Sequence, residues 1–183
     1  MAEQALIIDP DGAKHDGEAV AEPAPMFDLI ELLFFAYRDF VRDADRLLEA
    51  YRFGRAHHRV LHFVHRHPGL TVAELLDILK ITKQSLNRVM KDLLDGDFVE
   101  ARAGVSDRRR RLLFPTPRGR RLALDLARLQ SERFRRTLDD LPAGTRAHAV
   151  EFLLGMIDAG ERAKVMDLVW SGSMLNTRRK VVP

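Results

Sequence analysis

Residues 70–95 read LTVAELLDILKITKQSLNRVMKDLLD, and this segment is the most informative about the fold. Thr71 and Glu74 have the spacing of a capping box, in which a hydroxyl and a carboxylate three residues apart cap the start of a helix. A second helix is predicted to begin at Thr82 and to end at about Asp95, where a glycine follows. Two short helices joined by so few residues predict a helix-turn-helix.

The second helix of this pair, over 82–95, has two different faces. Its apolar residues recur at three- and four-residue intervals, so one face is predicted to be buried. Gln and Asn side chains pair with adenine in the major groove of DNA, and Arg and Lys side chains pair with guanine. The residues that we predict to contact DNA from the other face are Lys83, Gln84, Ser85, Asn87 and Arg88.

A basic hairpin, or wing, is predicted over 98–114. Its strands, 98–102 and 110–114, are separated by small and turn-forming residues. We expect Pro115 to lie outside the second strand, because proline cannot sit in a central strand. Arginine suits the narrow, electronegative minor groove, and one aspartate among arginines is placed to orient them. The wing residues that we predict to contact DNA are Asp107, Arg108, Arg109 and Arg110.

Helical periodicity flanks this segment on both sides. Helices are predicted over about 27–50, over about 55–66, from Thr116-Pro117 onward, and from a break at 142–144 to about Leu168. A winged helix of this size cannot cover all their apolar stripes, so pairing in a homodimer is the economical solution, with burial inside the monomer as the alternative. The predicted fold is mainly α with a small β wing: a disordered acidic arm over 1–26, dimerisation helices over 27–52 and 117–169, a winged helix-turn-helix over 53–116, and a flexible tail over 170–183.

The charge of the chain is unevenly distributed. Its formal net charge is +3, but the first 26 residues hold six acids and one lysine, a net charge of −5. Residues 80–121 hold twelve Lys and Arg against five acids, a net charge of +7. So concentrated a positive charge favours a polyanion such as DNA as the partner, although a solvated arginine-rich loop is the other interpretation.

Composition excludes several classes of protein. The 183 residues include no cysteine, which excludes disulfides, Cys-ligated zinc and thiol redox chemistry and fits the cytoplasm. Six residues, 32–37, form the longest apolar run, and the acidic N-terminus does not resemble a signal peptide, so we expect no membrane contact. Neither a phosphate-binding glycine loop nor a Gly-x-Ser-x-Gly elbow occurs, so we expect no enzyme and no cofactor.

Five histidines lie in or next to the helix predicted over about 55–66. Three of them, His58, His62 and His65, share one helical face at a spacing that zinc uses. Without cysteine or a His-Glu-x-x-His motif we predict no metal site, and a His-based metal-responsive regulator remains an alternative. A response to pH or to an anionic ligand is also open, because imidazole titrates near pH 6.5.

Residues 55–119 resemble the MarR family of bacterial transcription regulators. The segments that carry the resemblance are 59–64, 70–75, 82–89 and Asp107-Arg108-Arg109, followed by Leu112, Leu113, Thr116 and Gly119. Pro115, the acidic arm and the tail beyond Leu168 depart from the family pattern.

The resemblance implies a homodimer that binds a pseudo-palindromic operator on double-stranded DNA and regulates transcription. It implies that Arg109 enters the minor groove and that a small effector binds between the two regions, for which Tyr37, His57 and His58 are the candidates. The lack of cysteine excludes the family's thiol-oxidation type of sensor. The alternative function is a winged helix that binds protein and has no specific DNA binding.

Overall fold

The computed structural model describes residues 24–104 and 110–178. Within these ranges the chain forms seven helices and three short strands. Their bounds, in chain order, are α1 Phe27–Glu49, α2 Arg55–Arg66, β1 Leu70–Thr71, α3 Val72–Leu79, α4 Lys83–Asp95, β2 Val99–Ala103, β3 Arg111–Pro115, α5 Pro117–Asp139, α6 Thr145–Gly155 and α7 Ala159–Arg178.

Three threonines begin three of these helices, as their sequence contexts predict. The Thr71 hydroxyl accepts from the Glu74 amide while the Glu74 carboxylate accepts from the Thr71 amide, which completes the capping box of α3. Thr82 caps α4 by accepting from the amide of Ser85. Thr116 caps α5 ahead of Pro117, so each helix begins where a side chain satisfies a free backbone amide.

The sheet is antiparallel with the strand order β1-β3-β2. β2 and β3 form the predicted hairpin, in which Ala101 lies opposite Leu113. β1 was not predicted: its two residues, Leu70 and Thr71, are too few to show a sequence period, and they pair with β3 at Leu113 and Leu112.

Pro115 corrects the sequence prediction, because it is the last residue of the central strand β3. It lies opposite Val99 of β2, whereas β1 pairs with β3 only at Leu112 and Leu113. Proline is tolerated at this position because β3 extends past the end of β1. On the β1 side of Pro115, no strand needs an amide proton from it.

The core lies between α2, α3, α4, the sheet and the adjoining halves of α1 and α5. α1 buries only residues in its C-terminal half, and α5 buries only residues in its N-terminal half. The largest fully buried side chains are Leu48, Leu61, Leu75, Leu86, Leu93, Leu113, Leu126, Val60 and Val64. This core holds the helix-turn-helix and the base of the wing as one unit.

The C-terminal helices differ from the sequence prediction of one helix that ends at about Leu168. A break at 156–158 separates α6 from α7, and α7 continues to Arg178. The Asp158 carbonyl accepts from the amides of Glu161 and Arg162, so a new helix starts there. α6 buries none of its residues in this single chain.

Candidate nucleic-acid interface

The outer face of α4 is polar and exposed, and its inner face is buried. Leu86, Val89, Met90 and Leu93 enter the core. All five residues predicted to contact DNA from this helix are exposed on the other side: Lys83, Gln84, Ser85, Asn87 and Arg88. The Ser85 hydroxyl accepts from the Thr82 hydroxyl at 2.9 Å, so it is partly engaged in capping the helix, whereas the longer side chains project from the first two turns.

The wing adds exposed arginines beside this helix. Arg102 and Arg111 lie on its two strands and are exposed, and Arg110 is exposed just before β3, where its carbonyl accepts from the Gly104 amide at 2.9 Å. Asp107, Arg108 and Arg109 lie outside the residues that the structure describes, so their predicted contacts with DNA stay predictions.

Glu74 on α3 interacts electrostatically with Arg110 of the wing. Its pKa is lowered first by hydrogen bonds from the Thr71 hydroxyl and amide, and to a smaller extent by the charge of Arg110. The Glu74 carboxylate is therefore ionised, and its hydrogen bonds are made within the capping box. It also lies close enough to the wing to attract the positive charge of Arg110.

A second basic group at the start of α5 extends the surface beyond the wing. Arg118, Arg120 and Arg121 are all exposed. The Arg118 guanidinium stacks over the Phe98 ring at 4.3 Å and donates to the Gly96 carbonyl at 3.0 Å. These arginines contribute to the net charge of residues 80–121, but the sequence predicted no DNA contact for them. The structure shows that Arg118 binds the end of α4 through Gly96.

A pocket of about 300 Å³ lies between α1, α2 and α5. It brings together two of the three residues predicted to bind an effector, Tyr37 and His58, but His57 does not line it. Its lining consists of Tyr37, Phe40, Val41, Arg55, His58, Arg59, His62, Phe63 and Gln130.

The histidines beside this pocket are held in their neutral form. Burial lowers the pKa of His58, an effect that the charge of Asp45 partly opposes. Burial, with a smaller contribution from the neighbouring cations, lowers the pKa of His62 to about 4. At neutral pH both rings therefore present uncharged nitrogen atoms.

His57 points instead toward α4. Its Nε2 atom lies 3.1 Å from Oδ2 of Asp92 on α4, and its Nδ1 atom lies 3.1 Å from the amide nitrogen of Gly54. Helical periodicity predicts that His57 and His58 lie on the same helix. The packing shows that His58 lines the pocket, whereas His57 contacts α4.

α7 reaches the helix-turn-helix from the opposite end of the chain. Lys164 forms an ion pair with Asp77 of α3, and Lys80 pairs with both Asp77, at 3.0 Å, and Glu161, at 3.5 Å. Nothing in the sequence pattern indicated this contact, because the partners are more than eighty residues apart.

Within 24–104 and 110–178 no three His, Asp or Glu side chains converge in a way that would hold a metal ion. None of the helices in the described part of the chain has the length and apolar content that a membrane span requires.

Sequence comparison places the winged helix in a known family. Residues 53–110 match the sequence profile of the MarR family. The chain is 50% identical over 106 residues to the HTH-type transcriptional regulator PetP of Rhodobacter capsulatus. That match covers 58% of this chain and 64% of the relative, so the chain spans somewhat less than two thirds of the relative's length.

Comparison of structures identifies the same fold. A MarR transcriptional regulator from Methanosarcina mazei is similar with a TM-score of 0.62 at 23% identity, over 75% of this chain and 99% of that one. FabT of Streptococcus pneumoniae, solved in complex with DNA, is similar with a TM-score of 0.64 at 16% identity, over 72% of this chain and 94% of that one. Residues 53–110 of the chain are therefore similar to the MarR family in sequence, and its described part has the fold of MarR regulators.

Proposed function

We propose that the protein is a homodimeric, sequence-specific DNA-binding regulator of transcription that responds to a small ligand. The observation that carries the proposal is the exposed polar face of α4, with Gln84, Asn87 and Arg88 over a fully buried apolar face, beside an arginine-rich wing. A helix of this kind fits the major groove, and the wing would reach the adjacent minor groove. The similarity of the fold to FabT, which was solved in complex with DNA, supports DNA binding.

The proposal assigns each group a different part in binding. Gln84 and Asn87 would contact base edges, and Lys83 and Arg88 would contact bases or phosphates. Arg108 and Arg110 would contact phosphates, and Arg109 would enter the minor groove. Such a regulator acts on chromosomal DNA, so we place it in the cytoplasm and assign it no catalytic step.

We expect Asn87→Ala and Gln84→Ala each to weaken binding to the preferred duplex about 10-fold while binding to random duplex changes little, because each removes a contact to a base. Arg108→Ala should weaken binding to both duplexes alike, because it removes a phosphate contact. The measurement is a mobility-shift titration at several salt concentrations, with a duplex that the wild-type protein enriches from a randomised pool.

Two outcomes of that titration would contradict DNA binding as proposed. One is the absence of binding at low salt, which would favour a winged helix that binds protein. The other is binding that Arg109→Ala leaves unchanged.

The flanking helices support the homodimer, because they expose large apolar side chains in the single chain. Monomeric proteins rarely leave contiguous apolar surfaces of this extent open to water, and a second copy covers them on a two-fold axis. The exposed side chains on these helices include Phe27, Leu29, Ile30, Leu32, Leu33, Phe34, Phe35, Phe152, Leu153, Met156, Met166, Val169 and Trp170.

We expect the double variant Leu32→Asp/Phe34→Asp to shift the protein from dimer to monomer, since both side chains are more than 60% exposed in the single chain. Light scattering coupled to size-exclusion chromatography measures the change. Arg42→Asp, at an exposed position in the packed half of the same helix, is the control and should leave a dimer. A double variant that remains dimeric would move the interface away from the start of α1.

The pocket between α1, α2 and α5 is the proposed ligand site. Its walls include the rings of Tyr37, Phe40 and Phe63. Two arginines, Arg55 and Arg59, also line it. Asp45 pairs with Arg55 at 2.9 Å, and Arg59 donates to the Leu79 carbonyl at 3.1 Å. Aromatic walls beside cationic side chains suit a small ligand with an apolar body and one negatively charged group.

A further inference from the structure

The end of the recognition helix α4 rests on the joint between α1 and α2. Phe53, in the joint, stacks on His57 with ring centroids 4.6 Å apart and 8° between the planes, and it packs edge-on against Phe98 at 5.0 Å. His57 then reaches Asp92, which lies on the last turns of α4. The joint therefore contacts α4 near its C-terminal end, at the edge of its exposed polar face.

The hydrogen bonds of His57 determine which ring nitrogen carries the proton. Nδ1 lies 3.1 Å from the Gly54 nitrogen, which can only donate, so Nδ1 accepts. The proton of the neutral ring is then on Nε2, which donates to Oδ2 of Asp92 at 3.1 Å. The His57 side chain is 14% exposed and the Asp92 side chain is 46% exposed, so a largely buried ring donates to a carboxylate at the surface.

This contact acts on the rotation of α4 about its own axis. At 3.6 residues per turn, Asp92 lies about 40° around the helix from Arg88 and about 80° from Gln84. A rotation of about 10° moves a side-chain tip about 1 Å at a radius of 5–6 Å, whereas a binding geometry tolerates about 0.5 Å. The buried apolar face restrains this rotation by packing, and the hydrogen bond adds a directional restraint at the edge of the polar face.

We propose that His57 is a positioning residue for DNA recognition: through its hydrogen bond to Asp92 it sets the rotation of α4 and so contributes to the choice of DNA sequence without contacting DNA. This inference rests on the proposed function. It also separates the roles of two adjacent residues, since His58 lines the pocket and His57 holds the recognition helix.

Two substitutions at the same position separate positioning from stability. In His57→Asn the side-chain oxygen can still accept from the Gly54 amide, which keeps the cap of α2, but the side chain is too short to reach Asp92. In His57→Gln the amide nitrogen takes the place of Nε2 and can still donate to Asp92. A purely structural role for the ring predicts that both variants behave alike.

The readout is the ratio of the dissociation constants for a random duplex and for the duplex enriched by wild-type protein. A ratio cancels electrostatic changes that affect both duplexes equally. We expect His57→Asn to lower the ratio about 10-fold, His57→Gln to keep it within about threefold of wild type, and the salt dependence to stay unchanged. Asp92→Ala should match His57→Asn, and the double variant should lose no more than either single one.

Matched controls are His67→Asn, at a histidine that also stacks on a phenylalanine of α2, and Asp125→Ala, at an exposed ion pair on α5. Both should keep the wild-type ratio. A ratio within twofold of wild type in His57→Asn, equal weakening on both duplexes, or losses that add in the double variant would overturn the inference.

Hydrogen exchange distinguishes failure of the inference from failure of the proposed function. A wild-type protein that shows no preference among duplexes overturns the proposed function. In free protein, His57→Asn should speed exchange of the amides of α4 and leave those of α3 unchanged. Unchanged exchange in α4 overturns the positioning role, whatever the DNA titration shows.

Discussion

Gly119→Ala should lower the free energy of unfolding by about 3 kcal/mol or more, because the new methyl group meets backbone. Gly119 is buried in the first turn of α5, directly against the end of the wing. A Cβ atom at this position would lie 1.8 Å from the Phe98 carbonyl oxygen and 2.8 Å from its carbonyl carbon. Neither atom belongs to a flexible side chain, so relief requires α5 and β2 to separate.

Urea unfolding followed by circular dichroism measures this loss, and Gly160→Ala is the matched control. Gly160 lies in the first turn of α7, where an added Cβ meets nothing within 4 Å. Alanine there should be neutral or stabilising by up to about 1 kcal/mol. If Gly119→Ala unfolds within about 1 kcal/mol of wild type, the close approach of α5 to Phe98 does not exist in solution.

Lowering the pH from 7 to 5 should lower the free energy of unfolding by about 2 kcal/mol through His62 alone, and by about 3 kcal/mol at pH 4. Its pKa is about 4 in the folded chain, against an ordinary value of 6.5 in the unfolded chain. The unfolded state therefore binds a proton first, so the stability present above pH 6.5 is lost as the pH falls toward 4.

The surroundings of His62 explain the direction of this shift. Burial is the main cause of the lowered pKa. Smaller contributions come from His58, Arg66 and His65 on α2 and from His67 just after it, all of which oppose a further positive charge. From the packed helices α1 and α5, Tyr37 and Gln130 reach the same pocket without a charge. Burial also lowers the pKa of His58, His65 and His67, so their contributions have the same sign.

Urea titrations at pH 7 and pH 5 test this prediction in wild type and in His62→Gln. The glutamine variant should lose about 2 kcal/mol less than wild type between the two pH values. His148→Gln, at an exposed position on α6, should follow wild type. Equal unfolding free energies of wild type at the two pH values would contradict the burial of His62. At pH 5 the measurement stays above the range in which the carboxyl groups with lowered pKa, such as Glu74 and Asp77, take up protons.

Local features of the fold were predictable because their causes are local. The capping threonines Thr71, Thr82 and Thr116 act on amides three residues away, so their hydrogen bonds follow from spacing alone. The two faces of α4 follow from the period of its apolar residues. The MarR resemblance rested on these same segments and is confirmed by comparison.

Features that depend on distant parts of the chain were not predictable. β1 exists only because Leu70 and Thr71 meet β3, and the position of Pro115 is tolerated only because β1 ends before it. The break between α6 and α7 interrupts an apolar pattern that continues on both sides of it. No periodicity signals these outcomes, since the free energy comes from pairing partners far away in the sequence.

The amino-acid sequence alone predicts the helix-turn-helix, its caps, the polar face of α4 and the concentration of positive charge around the wing. Each depends on residues a few positions apart, and short-range hydrogen bonding and helical period are properties of the local chain. The folded structure is needed to show that His58 faces a pocket while His57 contacts Asp92, and that Gly119 lies directly against Phe98. Those contacts join elements far apart in the sequence, and they form where the packing of the whole core brings the elements together.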